Sequence, residues 1–253
     1  MKNFTKPAVL AFIFALLFAA GCKKNSVDTS LLVLNIYPYF GNDSIVAGKN
    51  YATATGDSVS FSRTSFYITN LTLTSTSGTT YADSGYLLVT ADNRLNLIAG
   101  TVPTGSYKSI SFNVGVNLSD NHTDPSGHSG GPLVTQSPAM HFSSDNLGYI
   151  FMAVEGLADS TNNHQSPNKT FSYHLGSDSL LETVNLPDHS AAPYSAAFNA
   201  TGGKVMTVNV IADFSQLLQR VNIPANPVTN TSDVPVLADT LAAHVGGMFR
   251  YLN

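Results

Sequence analysis

The side chains best suited to chemistry crowd into one stretch, Gly115 to Glu155, which reads GVNLSDNHTDPSGHSGGPLVTQSPAMHFSSDNLGYIFMAVE. It contains His122, His128 and His141, with Met140 and the carboxylates Asp120, Asp124 and Asp145. Imidazole suits copper and zinc, and a thioether favours Cu(I), so this set is a plausible one for a transition metal. A thiolate site is not expected in the folded part, because the only cysteine is Cys22, near the N-terminus. Between Val116 and Gly148 the sequence shows neither a period of two nor one of three to four. A connection that long inside a compact domain points to function.

Other chemistries have less support. There is no Gly-rich phosphate loop, and Asp145 and Glu155 read as a loop residue and a strand-end residue meeting backbone donors rather than as an acid–base pair. The chain is therefore expected not to be an enzyme. Charged residues make up only 11% of it and the formal net charge is −4. That balance leaves no electrostatic footprint for nucleic acid.

The N-terminus supplies a destination. Lys2 and Lys6 precede an apolar run from Ala8 to Phe18 that closes on Ala19-Ala20-Gly21-Cys22. The run is too short to remain as a spanning helix, and its end resembles a lipobox with Ala19 where Leu is usual. Residues 1–21 are thus expected to be a lipoprotein signal peptide, with lipidation on Cys22 and residues 22–30 as a polar tether. The membrane partner is the lipid anchor, and the location is the cell envelope, at the outer membrane or cell surface.

The domain that must position the histidines is expected over residues 31–253. LLVLNIYP from Leu31 forms a strand that Pro38 ends or confines to an edge. Asp57 to Ser62 and Ser65 to Thr74 alternate, but Phe66, Ile68, Leu71 and Leu73 cannot share one strict face, so a bulge is expected near Asn70. Tyr86 to Val89, Tyr107 to Val114, Tyr149 to Val154 and Thr170 to Leu175 read as further strands. Tyr194 to Ala200 and Lys204 to Ile211 are expected to pair as a hairpin around Gly202-Gly203. Asp213 should cap a short helix, Phe214 to Val221, and a second should run from Val236 to His244 with Pro235 in its first turn. The expected fold is all-β: an antiparallel β-sandwich with long loops and one or two short C-terminal helices.

Several of these segments recur in a fixed order seen elsewhere. They are Thr64 to Leu73 (TSFYITNLTL), Gly105-Ser106-Tyr107, Phe112 to Val116 leading to Asn121-His122, Met140 with Gly148 to Phe151 and Glu155-Gly156, and Tyr173 to Gly176. In this the chain resembles the MbnP-like family, periplasmic or surface copper-binding proteins first associated with methanobactin operons and common as Bacteroidetes lipoproteins. The resemblance implies copper as the bound metal, with zinc as the other choice. It places a histidine at His174, so the expected ligands are His122, His141, His174 and Met140, with Asp124 and Asp145 orienting the rings. It also implies a dihaem peroxidase-type partner, which in the family's type member oxidises a tryptophan near the Met to kynurenine. This chain has no tryptophan, so no kynurenine can form. Where the family often reads Met-Phe-Trp-x-Trp, this sequence has Met140-His141-Phe142-Ser143-Ser144-Asp145, and His141 brings an imidazole to the altered position. The expected function is metal handling or acquisition. The alternative is a surface binding or adhesion module that uses a face bearing Tyr37, Tyr39, Tyr67, Tyr81 and Tyr86.

Overall fold

A computed structural model describes residues 28–54, 56–143, 146–159 and 166–252. Cys22, the signal segment, Asp145 and most of the polar insert after Asp159 lie outside the described residues.

The strands form two sheets. The smaller is five-stranded and is built on β1 (Thr29–Phe40), which is flanked by β2 (Asp43–Ser44), β7 (Leu97–Pro103) and β13 (Val205–Asp213), with β15 (Phe249–Tyr251) beyond β13. The larger is ten-stranded and centres on β4 (Ser58–Ser75). Short strands β3 (Asn50–Ala52), β5 (Thr80–Asp83) and β6 (Leu87–Val89) pair with β4 alone. β8 (Gly105–Val114) carries β11 (Glu182–Asn185) and β12 (Phe198–Ala200), while β9 (Met152–Ala158), β10 (Lys169–Leu175) and β14 (Val228–Thr229) continue the sheet on the other side. Aliphatic and aromatic side chains from both inner faces fill the space between, with Phe249 edge-on to Phe66 and Phe112 at 5.7 and 5.2 Å. Such area removed from water is the main stabilising term.

The all-β class holds, but the sandwich is not purely antiparallel. β1 pairs parallel with β13, and β10 parallel with β14. The expected hairpin around Gly202-Gly203 is absent: β12 joins β8 in the large sheet and β13 joins β1 in the small one. The turn between them therefore crosses from one sheet to the other. Pro38 does not end β1, which runs on to Phe40. The reason is the direction in which its nitrogen points. Ile36 N donates to Arg94 O and Pro38 O accepts from Ile45 N, so position 38 faces a side that β7 has already left. No ladder bond is lost there.

The bulge in β4 falls where the apolar parity required it. Asn70 takes φ 51, and the pairing with β8 shifts register between Thr69 and Thr72. Phe66, Ile68, Leu71 and Leu73 are all buried as a result. Asparagine tolerates the left-handed region better than most residues. The three α-helices of the described residues are α1 (Leu118–Asn121), α2 (Phe214–Leu217) and α3 (Pro235–Val245). α2 is capped by Asp213, whose carboxylate accepts from Ser215 N at 3.0 Å. α3 buries Leu237, Ala238, Leu241, Ala242 and Val245. No helix among the described residues is long and apolar enough to cross a membrane.

Candidate metal centre

The described residues of the long connection from Val116 to Gly148 form a cap on the large sheet with its own small core. Tyr67, Val116, Leu133, Met140, Phe142, Tyr149 and Phe151 belong to this second apolar cluster. Two tyrosines reach out of it to hold the loop: Tyr149 donates to Leu133 O at 2.6 Å and Tyr67 to Pro132 O at 3.1 Å. Burial, as the largest cause, raises the pKa of both phenols, so they stay protonated donors.

Asn121 closes the loop. Its fully buried side chain accepts from Tyr149 N at 2.8 Å and donates to Leu147 O at 3.0 Å and to Asp178 Oδ1 at 2.9 Å. Gly148 is required beside it. Its φ is +80, and a Cβ there would lie 2.0 Å from Asn121 O. Tyr149 N and Ile150 N are spent on the loop, at Asn121 and Met140 O, while Phe151 still bonds Leu175 and Tyr67 of the flanking strands, and β9 begins at Met152 and not at Tyr149.

Under the loop, three adjacent strands place polar side chains in a row. Arg63 on β4 is in register with Glu155 on β9, and His174 lies on the next strand, β10. Arg63 NH1 donates to Glu155 Oε1 at 2.8 Å, and His174 Nε2 meets the same oxygen at 2.9 Å. His174 Nδ1 faces Asn230 Oδ1 at 3.2 Å. The second arm of Arg63 reaches the loop, donating to Ala139 O at 2.7 Å and to Met140 Sδ at 3.0 Å. Burial by itself would raise the Glu155 carboxyl. The hydrogen bonds from His174 and Arg63 outweigh it and hold the group below the usual carboxylate range. Glu155 is thus a mid-strand residue between two side-chain donors, not a strand-end residue on backbone donors.

On the loop's other side His141 packs edge-on to Tyr149, with ring centroids 5.0 Å apart. Among the described residues neither of its ring nitrogens has a hydrogen-bond partner. His141, Asp124, Gln136, Met140 and Tyr149 line one cavity of about 200 Å³. Asp124 is held below the usual range chiefly by its bond from Ser126 N, with help from the nearby His141 and His128 rings. His128 is tied to Thr123 Oγ1 at 2.9 Å. His122 turns elsewhere, its Nε2 3.1 Å from Asp178 Oδ2.

The four expected ligands therefore do not converge. Met140 and His141 share the cavity, His174 is reached from Met140 only through Arg63 and Glu155, and His122 belongs to Asp178. No group of three His, Cys, Asp or Glu side chains among the described residues is arranged to hold a metal ion. The donors that do meet are an imidazole, a carboxylate and a thioether, of which the thioether is engaged by Arg63. Sequence reasoning missed Arg63, although a charged residue inside an apolar, alternating strand was the available signal. It also passed over Gly127-His128-Ser129-Gly130-Gly131, whose letters match a nucleophile elbow. The segment follows a 3-10 turn, Pro125–Gly127, rather than linking a strand to a helix, so it lacks the elbow's geometry.

The proposed aromatic face is not one surface. Tyr37 and Tyr39 lie on β1 in the small sheet, while Tyr67, Tyr81 and Tyr86 lie on or beside the large one. Tyr67 is completely buried, and Tyr86 donates to Asp120 Oδ2 at 2.6 Å. Burial, followed by that bond, pushes the Tyr86 phenol up to about 12.

Two mixed sheets capped by a histidine-bearing loop define the class: a β-sandwich in which all the candidate ligands but His174 sit on one long connection. The MbnP family profile matches residues 29–233, and the chain belongs to the MbnP family. The solved structure of MbnP from Methylosinus trichosporium shares the fold, with a TM-score of 0.54 over 76% of this chain and 78% of that one, at 13% identity. No curated protein matches the sequence.

Proposed function

We propose that this protein is a lipid-anchored extracytoplasmic metal-binding protein that handles or acquires copper and catalyses no reaction. Membership of the MbnP family carries the reading. The lipobox-like Ala19-Ala20-Gly21-Cys22 supports the anchor. The metal is cargo, and the cavity at His141 is where it binds. His141 supplies a free imidazole nitrogen, Asp124 a carboxylate, and Met140 a thioether once Arg63 releases it. Imidazole and thioether together favour copper over magnesium or calcium. His174 and Glu155 hold Arg63 and act on Met140 through it, without touching the metal. A dihaem peroxidase-type partner is not needed for this site, because the chain offers no tryptophan to oxidise.

Metal analysis of the protein purified from membranes tests the binding. Copper in near-stoichiometric amount is expected; protein that stays metal-free after exposure to copper and zinc would sink the reading. The anchor has a separate test: Cys22→Ser should move the protein from the membrane fraction to the soluble extract. Acyl-chain burial contributes about 0.8 kcal/mol per methylene.

A further inference from the structure

A second opening lies where β1 ends, roughly 40 Å along that strand from Thr29. It is a cleft of about 920 Å³ between the β1–β2 turn, β3 and the segment from α2 to Asn222. That size suits a small-molecule or short-oligomer site. It shares no residue with the loop cavity, and nothing argued for copper bears on it.

The rim is made of carboxamides, Asn42, Asn50, Gln216, Gln219 and Asn222, with the guanidinium of Arg220 among them. Apart from Asn222 Oδ1, which accepts from Ala225 N at 3.1 Å, these side chains make no hydrogen bond within the described residues. All are exposed. Of the carboxylates nearby, Asp43 is paired with Lys49 at 2.9 Å, and Asp57 is a residue with a partner of its own. Arg220 takes φ 61, a left-handed backbone that a long side chain seldom adopts. Conformations of this kind concentrate at binding and switch sites.

The wall behind the rim is fixed in place. Tyr51 donates its hydroxyl proton to Ser44 O at 2.8 Å and accepts from Val46 N at 2.7 Å. Its ring packs at 5.7 Å from Phe40 and 6.1 Å from Phe61. Tyr51, Phe40 and Leu218, each less than 9% exposed, back the cleft, and the Lys49 ammonium lies 5.1 Å from the centre of the Tyr51 ring. A fixed wall leaves only the rim side chains to be ordered on binding.

Each carboxamide places a donor and an acceptor side by side, the pattern that complements adjacent hydroxyls. The guanidinium adds donors for hydroxyl or ring oxygens. We propose that this cleft binds a neutral carbohydrate chain.

Calorimetric titration of the full mature chain with maltohexaose, xylohexaose, mannohexaose and laminarihexaose tests this. At least one should bind with a Kd of about 1 mM or tighter, and Arg220→Ala and the Asn50→Ala/Gln216→Ala double variant should each weaken it about tenfold. These residues are exposed, so circular dichroism should find both variants folded, while His141→Ala should bind the sugar as the wild type does. Failure of all four sugars to bind overturns the proposal, as does equal affinity in the rim variants. Neither outcome alters the copper reading, which is scored by metal content alone.

Discussion

The strand-borne row and the loop-borne cavity are neighbours that share Met140, yet they are finished to different degrees. In the row, Arg63, Glu155, His174 and Asn230 each face a partner within 3.2 Å, and only Arg63 Nε among the described buried side-chain nitrogens and oxygens has none. In the cavity, His141 keeps both ring nitrogens free among the described residues. A polar network of matched partners is a structural device, because the low local dielectric penalises any member left unpaired. An unpaired imidazole beside a carboxylate is instead available to a ligand. The difference is why the proposed function gives His141 the metal and His174 a scaffolding part, though their residue type is the same.

Removing the central acceptor should break the row most severely. Glu155→Ala leaves the guanidinium of Arg63, 10% exposed, without its counter-charge. A loss of about 2–3 kcal/mol in denaturant unfolding is expected, below the range for fully buried pairs because Glu155 is itself 31% exposed. An unchanged midpoint would mean that the row carries little of the fold. Asn121→Ala attacks the other region. It takes the donor from Leu147 O and the closer of two acceptors from Tyr149 N, which keeps the backbone oxygen of residue 121 at 3.2 Å, and a loss of about 1–2 kcal/mol is expected. Hydrogen exchange should rise across Thr123 to Leu147 and not in β9 or β10; equal rises would erase the distinction.

Acid should reveal the same asymmetry more gently. Glu155 and Asp178 both have folded values below the usual range, so each contributes stability that is fully present above its unfolded value. That contribution is lost as pH falls from about 4 downward through the folded values. Glu155→Gln should flatten the acid limb of the stability curve, while His141→Ala, a minor cause of the shift at exposed Asp124, should change it far less. The smallest expected effects separate the histidines: about 1 kcal/mol for His174→Ala, which loses bonds to Glu155 and Asn230, and within about 0.5 kcal/mol for His141→Ala.

Local chemistry was legible in the sequence wherever a few neighbouring residues decide the outcome. The parity conflict around Asn70, the Asp213 cap and the Pro235 start of α3 all appear as read. What failed depends on distant partners. Gly202-Gly203 looks like a hairpin turn, but whether its flanking strands pair is settled by β1, which takes β13 in parallel register from Leu31 to Tyr39. The candidate site shows the same limit. Histidines and the methionine were visible as residue types, while the partners that occupy His122 and His174, namely Asp178 and Glu155, lie 56 and 19 residues away. Only the folded chain shows which imidazole is left free.

Copper titration of the mature chain beside His141→Ala and His174→Ala tests that division most directly. His141→Ala should lose at least about tenfold in affinity, equivalent to about 1.4 kcal/mol, while His174→Ala stays within about threefold of wild type. Undiminished binding by His141→Ala, or a larger loss in His174→Ala, would contradict the assignment of the metal to the loop cavity.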